Sequence, residues 1–311
     1  MSAVASSLSV NLSHVLQKNV HLLDLQYDHY CKYLAAGCRS QNGSEVVILE
    51  KDASDGDSGS FHVVSSVSTR CDPVLLCWAP PQFGRILVVA LSDNSISYYQ
   101  HAPSSGVWQL SLYHEKREVQ KSISCMSVGV SPKGELLCAV GSPSGSISVI
   151  FCEGSFECVD FPAHCGGVSS VCFAGNDSVL SSGGDGRPCL LASGGSDGCV
   201  KVWQLFDRKF QLLKTLSLEC DSKSLTQVKC LCWNKSGDRL AVGTGAELLL
   251  FGGAPEWSES QRVGLPRASV KVSVSFSNDR LVVSCDNECF VYRADERGAY
   301  ALSGPLEASN E

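Results

Sequence analysis

The chain has 311 residues, a formal charge of −7 and 44% hydrophobic residues. That acidic balance argues against a nucleic-acid surface, no uninterrupted apolar run is long enough to span a bilayer, and the N-terminus lacks the basic region and apolar core of a secretory signal. The 17 cysteines are odd in number and scattered through strand-like runs without zinc-type paired spacing, so they read as small buried hydrophobes kept reduced.

One phrase recurs six times: an apolar β-rich run, a small-residue run, a turn, a further β-rich run and then an aromatic residue. In the first unit, 20–68, the inner strand falls at 20–25, the small-residue run is Leu34-Ala35-Ala36-Gly37-Cys38, and the third strand is 46–49. Its turn is Gln41-Asn42-Gly43-Ser44, and Phe61 marks its outer strand. The loop at 51–60 carries Asp52, Asp55 and Asp57 but no Glu to close a calcium loop, so it reads as solvated. Ahead of it, the extension 1–19 alternates Leu8, Val10 and Leu12 with Ser9 and Asn11, the period of a single strand.

The second unit, 69–114, repeats the order with strands at 74–78 and 96–99, the turn Asp93-Asn94 and Trp108. The third, 115–161, has strands at 123–128 and 147–151, the turn Ser144-Gly145 and Phe156. The fourth, 162–216, has strands at 168–173 and 200–205, the turn Asp197-Gly198 and Phe210. Its insertion at 175–188 holds Gly183-Gly184-Asp185-Gly186, which opens no helix and so is no dinucleotide fingerprint. The fifth, 217–263, has strands at 228–233 and 248–251 and Trp257. In the sixth, 264–302, Val270, Val272, Val274 and Phe276 alternate with polar residues, and Tyr300 marks the outer strand. The tail 303–311 is small, polar and acidic and is expected to be flexible.

A unit of about 40–60 residues matches the period of propeller repeats. No such unit can bury its own apolar faces, so the repeats predict one all-β domain over 1–311, a six-bladed β-propeller, and not six independent domains. Only the fourth unit has the full grammar of a WD repeat: Ala163-His164, Asp197, and Val202-Trp203 placed at the end of the third strand. The WD resemblance implies that His164, Asp197 and Trp203 form a buried structural network. The other units carry Tyr99, Ile150, Phe251 and Tyr292 at the Trp position and are expected to hold by packing alone. Gly194-Gly195-Ser196-Asp197-Gly198 matches a nucleophile elbow, but a strand follows where that chemistry needs a helix. With no paired carboxylates or ligand cluster, no enzyme, cofactor or metal is expected.

Three stretches resemble the Sec-thirteen and Seh-one group of WD-repeat propellers. They are His21-Leu22-Leu23-Asp24-Leu25 running on to Tyr33-Leu34-Ala35, Cys77-Trp78-Ala79-Pro80-Pro81-Gln82-Phe83-Gly84-Arg85-Ile86-Leu87, and Gly141-Ser142-Pro143-Ser144-Gly145-Ser146-Ile147-Ser148-Val149-Ile150. The likeness runs over 20–302 and is diffuse in the fifth unit; Pro80 stands where the group usually has His, and the third unit lacks its Asp. The Sec-thirteen type fits better; a Seh-one-type nuclear-pore or TORC-regulator subunit and a general WD peptide-binding adaptor are the alternatives. The resemblance implies a scaffold of the outer COPII cage on the cytoplasmic face of the ER, of the nuclear-pore Y-complex at the nuclear envelope, or of both. It also implies an open ring that a partner completes with a seventh blade. The partner would be a Sec-thirty-one-like coat scaffold or an α-solenoid nucleoporin, with membrane contact only indirect. Docking would fall on Leu8, Val10 and Leu12 in the extension, on Leu23 and Leu25 in the first unit and on Val272, Val274 and Phe276 in the sixth.

Overall fold

The computed structural model describes residues 20–52, 60–101, 110–116, 122–152, 156–175, 188–218, 227–253, 256–266, 268–269, 272–276, 280–286, 288–296 and 298–306. Among them, 24 strands form six antiparallel sheets of four, each built from consecutive strands. These are the blades of a propeller. Blade 1 contains β1 (His21–Tyr27), β2 (Tyr33–Ser40), β3 (Gly43–Lys51) and β4 (Phe61–Thr69). Blade 2 contains β5 (Pro73–Trp78), β6 (Ile86–Leu91), β7 (Ile96–His101) and β8 (Leu110–Lys116). Blade 3 contains β9 (Cys125–Val130), β10 (Leu136–Gly141), β11 (Ser146–Phe151) and β12 (Glu157–Pro162). Blade 4 contains β13 (Val168–Phe173), β14 (Leu190–Gly195), β15 (Cys199–Phe206) and β16 (Lys209–Ser217). Blade 5 contains β17 (Cys230–Trp233), β18 (Arg239–Gly243), β19 (Glu247–Gly252) and β20 (Ser258–Gly264). Blade 6 contains β21 (Val272–Phe276), β22 (Arg280–Cys285), β23 (Glu288–Ala294) and β24 (Tyr300–Leu306). The chain divides into two compact units, one holding blades 1 and 2 and the other blades 3 to 6.

Each small-residue run is the second strand of its blade. Every residue of β6, β10 and β14 is buried, because a neighbouring strand lies on each edge and apolar side chains cover each face. Burial on both faces explains why these strands are continuous apolar runs without polar alternation. In the first unit, Tyr33, Ala35, Val46 and Ile48 of blade 1 pack against Leu76, Trp78, Leu87 and Tyr99 of blade 2. In the second unit the same kind of core joins blades 3 and 4, blades 4 and 5, and blades 5 and 6.

The glycines of the runs have a specific task. A Cβ on Gly37 would stand 2.7 Å from the Pro73 carbonyl oxygen. On Gly141 it would stand 2.6 Å from Val168 Cγ1, on Gly194 it would overlap Val228, and on Gly243 it would lie 3.0 Å from Val272 Cγ1. Each glycine is therefore a socket for a residue at or just before the inner strand of the next blade.

A second tie crosses between the same strands. The Leu76 N–H donates to Asp24 Oδ2 at 2.7 Å, and Trp78 Nε1 donates to the Gln26 carbonyl at 3.0 Å. Blades 4 and 5 repeat this at the same spacing: the Leu231 N–H donates to Ser170 Oγ at 3.1 Å, and Trp233 Nε1 to the Cys172 carbonyl at 3.0 Å. Between blades 3 and 4, the Phe173 N–H donates to Ser127 Oγ at 3.1 Å. Polar residues on the inner strands thus give the next blade's backbone the acceptors that its own sheet edge lacks.

The outer aromatics open or sit in the fourth strands. Phe61 and Tyr300 begin β4 and β24, Phe210 lies in β16, and Phe156 and Trp257 immediately precede β12 and β20. Trp108 lies outside the described residues. Most strand ends differ from the sequence reading by one to three residues, as at β3 and β9, and two of the differences follow from the pairing. β15 runs from Cys199 to Phe206, one residue beyond 200–205 at each end, because its pairing with β16 runs on to a tight hairpin. β24 reaches Leu306, into the segment expected to be flexible, because β23 pairs with it that far. No described cysteine forms a disulfide. Burial pushes the thiols of Cys189 and Cys230 up to about 12, so they stay protonated.

The sockets make a testable distinction. Gly194→Ala should cost about 1–3 kcal/mol through overpacking against Val228. Gly264→Ala, where an added Cβ meets nothing within 4 Å, should leave the melting temperature almost unchanged. Equal melting of the two variants would refute the socket.

Candidate functional site

The densest polar constellation lies in blade 4. His164 sits between β12 and β13, Ser193 on β14, Asp197 in the β14–β15 turn and Trp203 on β15. His164 Nδ1 lies 3.0 and 3.2 Å from the two oxygens of Asp197, and Nε2 lies 2.9 Å from Ser193 Oγ. Trp203 Nε1 donates to the same hydroxyl at 2.8 Å. Backbone N–H groups of Cys165 and Cys199 complete the carboxylate, at 3.0 and 3.2 Å. Only one proton arrangement satisfies every group. Nδ1–H donates to Asp197, the Ser193 hydroxyl donates to Nε2, and the indole donates to Ser193. A side chain at Gly195 would meet His164 Nδ1 at 2.5 Å, so the turn closes over the imidazole only with glycine there.

The electrostatics follow from this geometry. Burial lowers the His164 pKa more than the Asp197 carboxylate raises it, so the imidazole titrates below its ordinary 6.5. For Asp197 burial acts upward, but His164 and the two backbone donors together outweigh it and hold the carboxyl below its ordinary range.

The order serine, histidine, aspartate is also that of a nucleophilic triad. Here Ser193 is 0% exposed and its hydroxyl is taken by both the imidazole and the indole, so no substrate atom can approach it. The elbow-like stretch at 194–198 is the β14–β15 hairpin turn. The constellation ties the segment that leads into the inner strand to the second and third strands of the same blade.

His164, Asp197 and Trp203 are brought together as the WD grammar implied. Ser193, the centre of the network, was not singled out from the sequence. Its signal was an interruption: the equivalent residues of the other runs are Ala36, Val89, Val140, Val242 and Val283. Nor do the other blades hold by packing alone. Asp93 accepts from the Ser95 N–H and hydroxyl, Ser142 accepts from the Ser144 N–H, and Thr244 accepts from the Glu247 N–H. Short polar side chains fold these turns back on themselves without a Trp partner.

The residues expected to dock a partner's blade separate. Leu23 and Leu25 lie half-buried on β1, where Leu25 packs on the Leu34, Val47 and Phe61 cluster. Val272, Val274 and Phe276 are buried in the core that blade 6 shares with Ala241, Leu248 and Leu250 of blade 5. They serve that core because β21 turns its apolar alternation toward the Gly243 socket. Leu8, Val10 and Leu12 lie outside the described residues.

Two outcomes test the network. Trp203→Ala should destabilise by about 3–5 kcal/mol, while Trp203→Phe, which keeps most of the packing but loses the donor to Ser193, should cost about 1 kcal/mol. An unchanged melting temperature in Trp203→Ala would remove the assignment. The pH dependence has a definite sign. A depressed His164 pKa means that the unfolded chain takes up the proton first, so stability is full above 6.5 and falls as the pH drops below it. His164→Gln should therefore show a flatter melting-temperature slope between about pH 7 and 5. A slope equal to that of the parent chain would contradict a buried neutral imidazole.

Comparison with known proteins places this geometry. The WD domain, G-beta repeat family matches residues 156–190 and 187–204, the part of the chain that holds the network. "Protein transport protein sec13" of Emericella nidulans is 29% identical over 197 residues, covering 58% of this chain and 59% of that protein. The Aspergillus fumigatus protein of the same name is 27% identical over 233 residues, covering 68% and 69%. The chain thus spans about three fifths of the length of the first of these relatives, at 59%. Among solved structures, a chain of "Crystal Structure of Mitotic Checkpoint Complex" superposes over 100% of this chain and 90% of its own, with a TM-score of 0.66 and 16% identity, which is a likeness of fold alone. With six four-stranded blades and a WD network in the fourth, the chain is an all-β WD40 propeller, and its sequence is similar to proteins named Sec13.

Proposed function

We propose that the chain is a non-enzymatic scaffold subunit of a membrane-coat assembly: the COPII outer cage at the cytoplasmic face of the ER, the nuclear-pore Y-complex, or both. The observation that carries this is the sequence likeness to proteins named for protein transport, which extends over 233 residues in one case. The structure is consistent with a binding role. Its most elaborate polar constellation is sealed, and no group of His, Cys, Asp and Glu able to hold a metal occurs among the described residues. No helix among them is long and apolar enough to cross a membrane.

The partner proposed is a Sec-thirty-one-like coat protein or an α-solenoid nucleoporin that adds strands beside blade 1. There β1 exposes Leu22 and leaves Leu23 and Leu25 half-buried. Apolar side chains on an inner strand favour such an addition, because covering them removes apolar area from water. Affinity isolation of the tagged chain from its own cells tests the reading. The expected result is a near-stoichiometric partner in which a short β-rich segment precedes a long α-solenoid, sedimenting with ER or nuclear-envelope membranes. Recovery of the chain alone, or with ubiquitin-ligase subunits in place of coat proteins, would overturn it.

A further inference from the structure

Outer strands are the open edges of the blades, and four of the five whose side chains are described are blunted. β12 carries Glu157 and Asp160 and ends on Pro162; β20 carries Glu259 and Arg262; β24 contains Pro305; and β4 exposes a single large apolar residue, Val63, among serines. Charges, prolines and small polar residues are how sheets avoid edge pairing.

β16 has none of these protections. It is nine residues long, without proline or an acidic residue. It exposes adjacent leucines, Leu212 at 48% and Leu213 at 45%, and Phe206 beside its start is 48% exposed. The backbone is also prepared. Asp207 and Arg208 form a two-residue turn with φ of 41° and 61°, so the flanking pair Phe206 and Lys209 exchange their hydrogen bonds. Two-residue alternation then aims the N–H and C=O groups of Phe210 and Leu212 away from β15, where no further strand lies among the described residues. A register shift between Val202 and Trp203 leaves Leu213 without a partner on β15.

Charge selects the occupant. Lys209 is exposed and meets no carboxylate among the described residues, while Lys214 reaches only Glu256, at 3.8 Å, whose side chain is 85% exposed. Arg208 does not contribute, because it turns back onto Glu135 and Glu157 of blade 3. A second copy of β16 would set two lysine-bearing strands without carboxylates side by side, which like-charge repulsion disfavours. We propose that β16 is a docking edge for an extended acidic and apolar peptide segment of a partner protein, which joins blade 4 as a fifth strand. Main-chain bonds at Phe210 and Leu212 would give the pairing, the leucines its apolar contact and the lysines its selectivity.

The test uses the whole chain and two fluorescein-labelled synthetic peptides about ten residues long, one alternating Glu with Val and the other Lys with Val. The acidic peptide should bind and the basic one should not. The Lys209→Glu, Lys214→Glu double variant should reverse that preference, and Leu212→Ser with Leu213→Ser should weaken binding at least about tenfold. Hydrogen exchange should slow at Phe210 and Leu212 when the acidic peptide is bound, and melting curves of the variants show that blade 4 remains folded. Failure of both peptides to bind, equal binding of the two, or protection confined to other strands would overturn the proposal. So would protection of the same amides without peptide in a concentration-dependent dimer, which would assign the edge to self-association.

Discussion

The structure depends on one constraint: its central strands are apolar on both faces. A four-stranded sheet with such strands has nowhere to place its second face except against another sheet. Stacking is therefore required before any blade is stable, and the close spacing that stacking needs sets the other details. Backbone meets side chain at Gly37, Gly141, Gly194 and Gly243, where even a methyl group would collide. The same closeness lets the Ser127, Ser170 and Asp24 side chains reach a neighbouring backbone. Burial leaves Asp24 raised above its ordinary carboxylate range, although two backbone donors act against that.

Blade 4 adds a polar device to this apolar frame. A buried imidazole is costly without partners, and every partner here is itself buried or part of the turn. Around it the apolar packing is aromatic. Phe161 of blade 3 lies 4.9 Å from the Trp203 ring and 5.6 Å from Phe210. The indole thus has two tasks, its ring joining blade 3 to blade 4 and its nitrogen fixing Ser193. Blades that replace this Trp with Phe or Tyr keep the first task and lose the second. Tyr292 shows the difference, as its ring is buried while its hydroxyl has no hydrogen-bond partner among the described residues.

The fold was legible in the sequence because both-face burial writes itself as uninterrupted apolar runs, and turns between them carry Gly, Asn and Asp. His164, Asp197 and Trp203 were legible because their residue types break the pattern at fixed spacing. Ser193 breaks it too, but a serine in a run already rich in small residues is a weak signal. The direction in which β21 faces was not legible. Alternation shows that Val272, Val274 and Phe276 share a side, yet only packing shows that this side meets blade 5. Strand ends were uncertain for a related reason. The third strand of the fourth unit read as 200–205, whereas β15 is carried to Phe206 by pairing that no local residue announces.

The sockets also have a handedness in time. At Gly37, Gly141, Gly194 and Gly243 the cavity belongs to the earlier blade and the filling residue to the later one. A nascent chain leaving the ribosome therefore completes each receiving surface before the residue that fills it is synthesised. Where a glycine socket is present, the receiving side of the contact is thus made before the side that fills it. Blade 2 carries Ala90 and blade 6 Ser284 at this position, so neither offers a glycine socket.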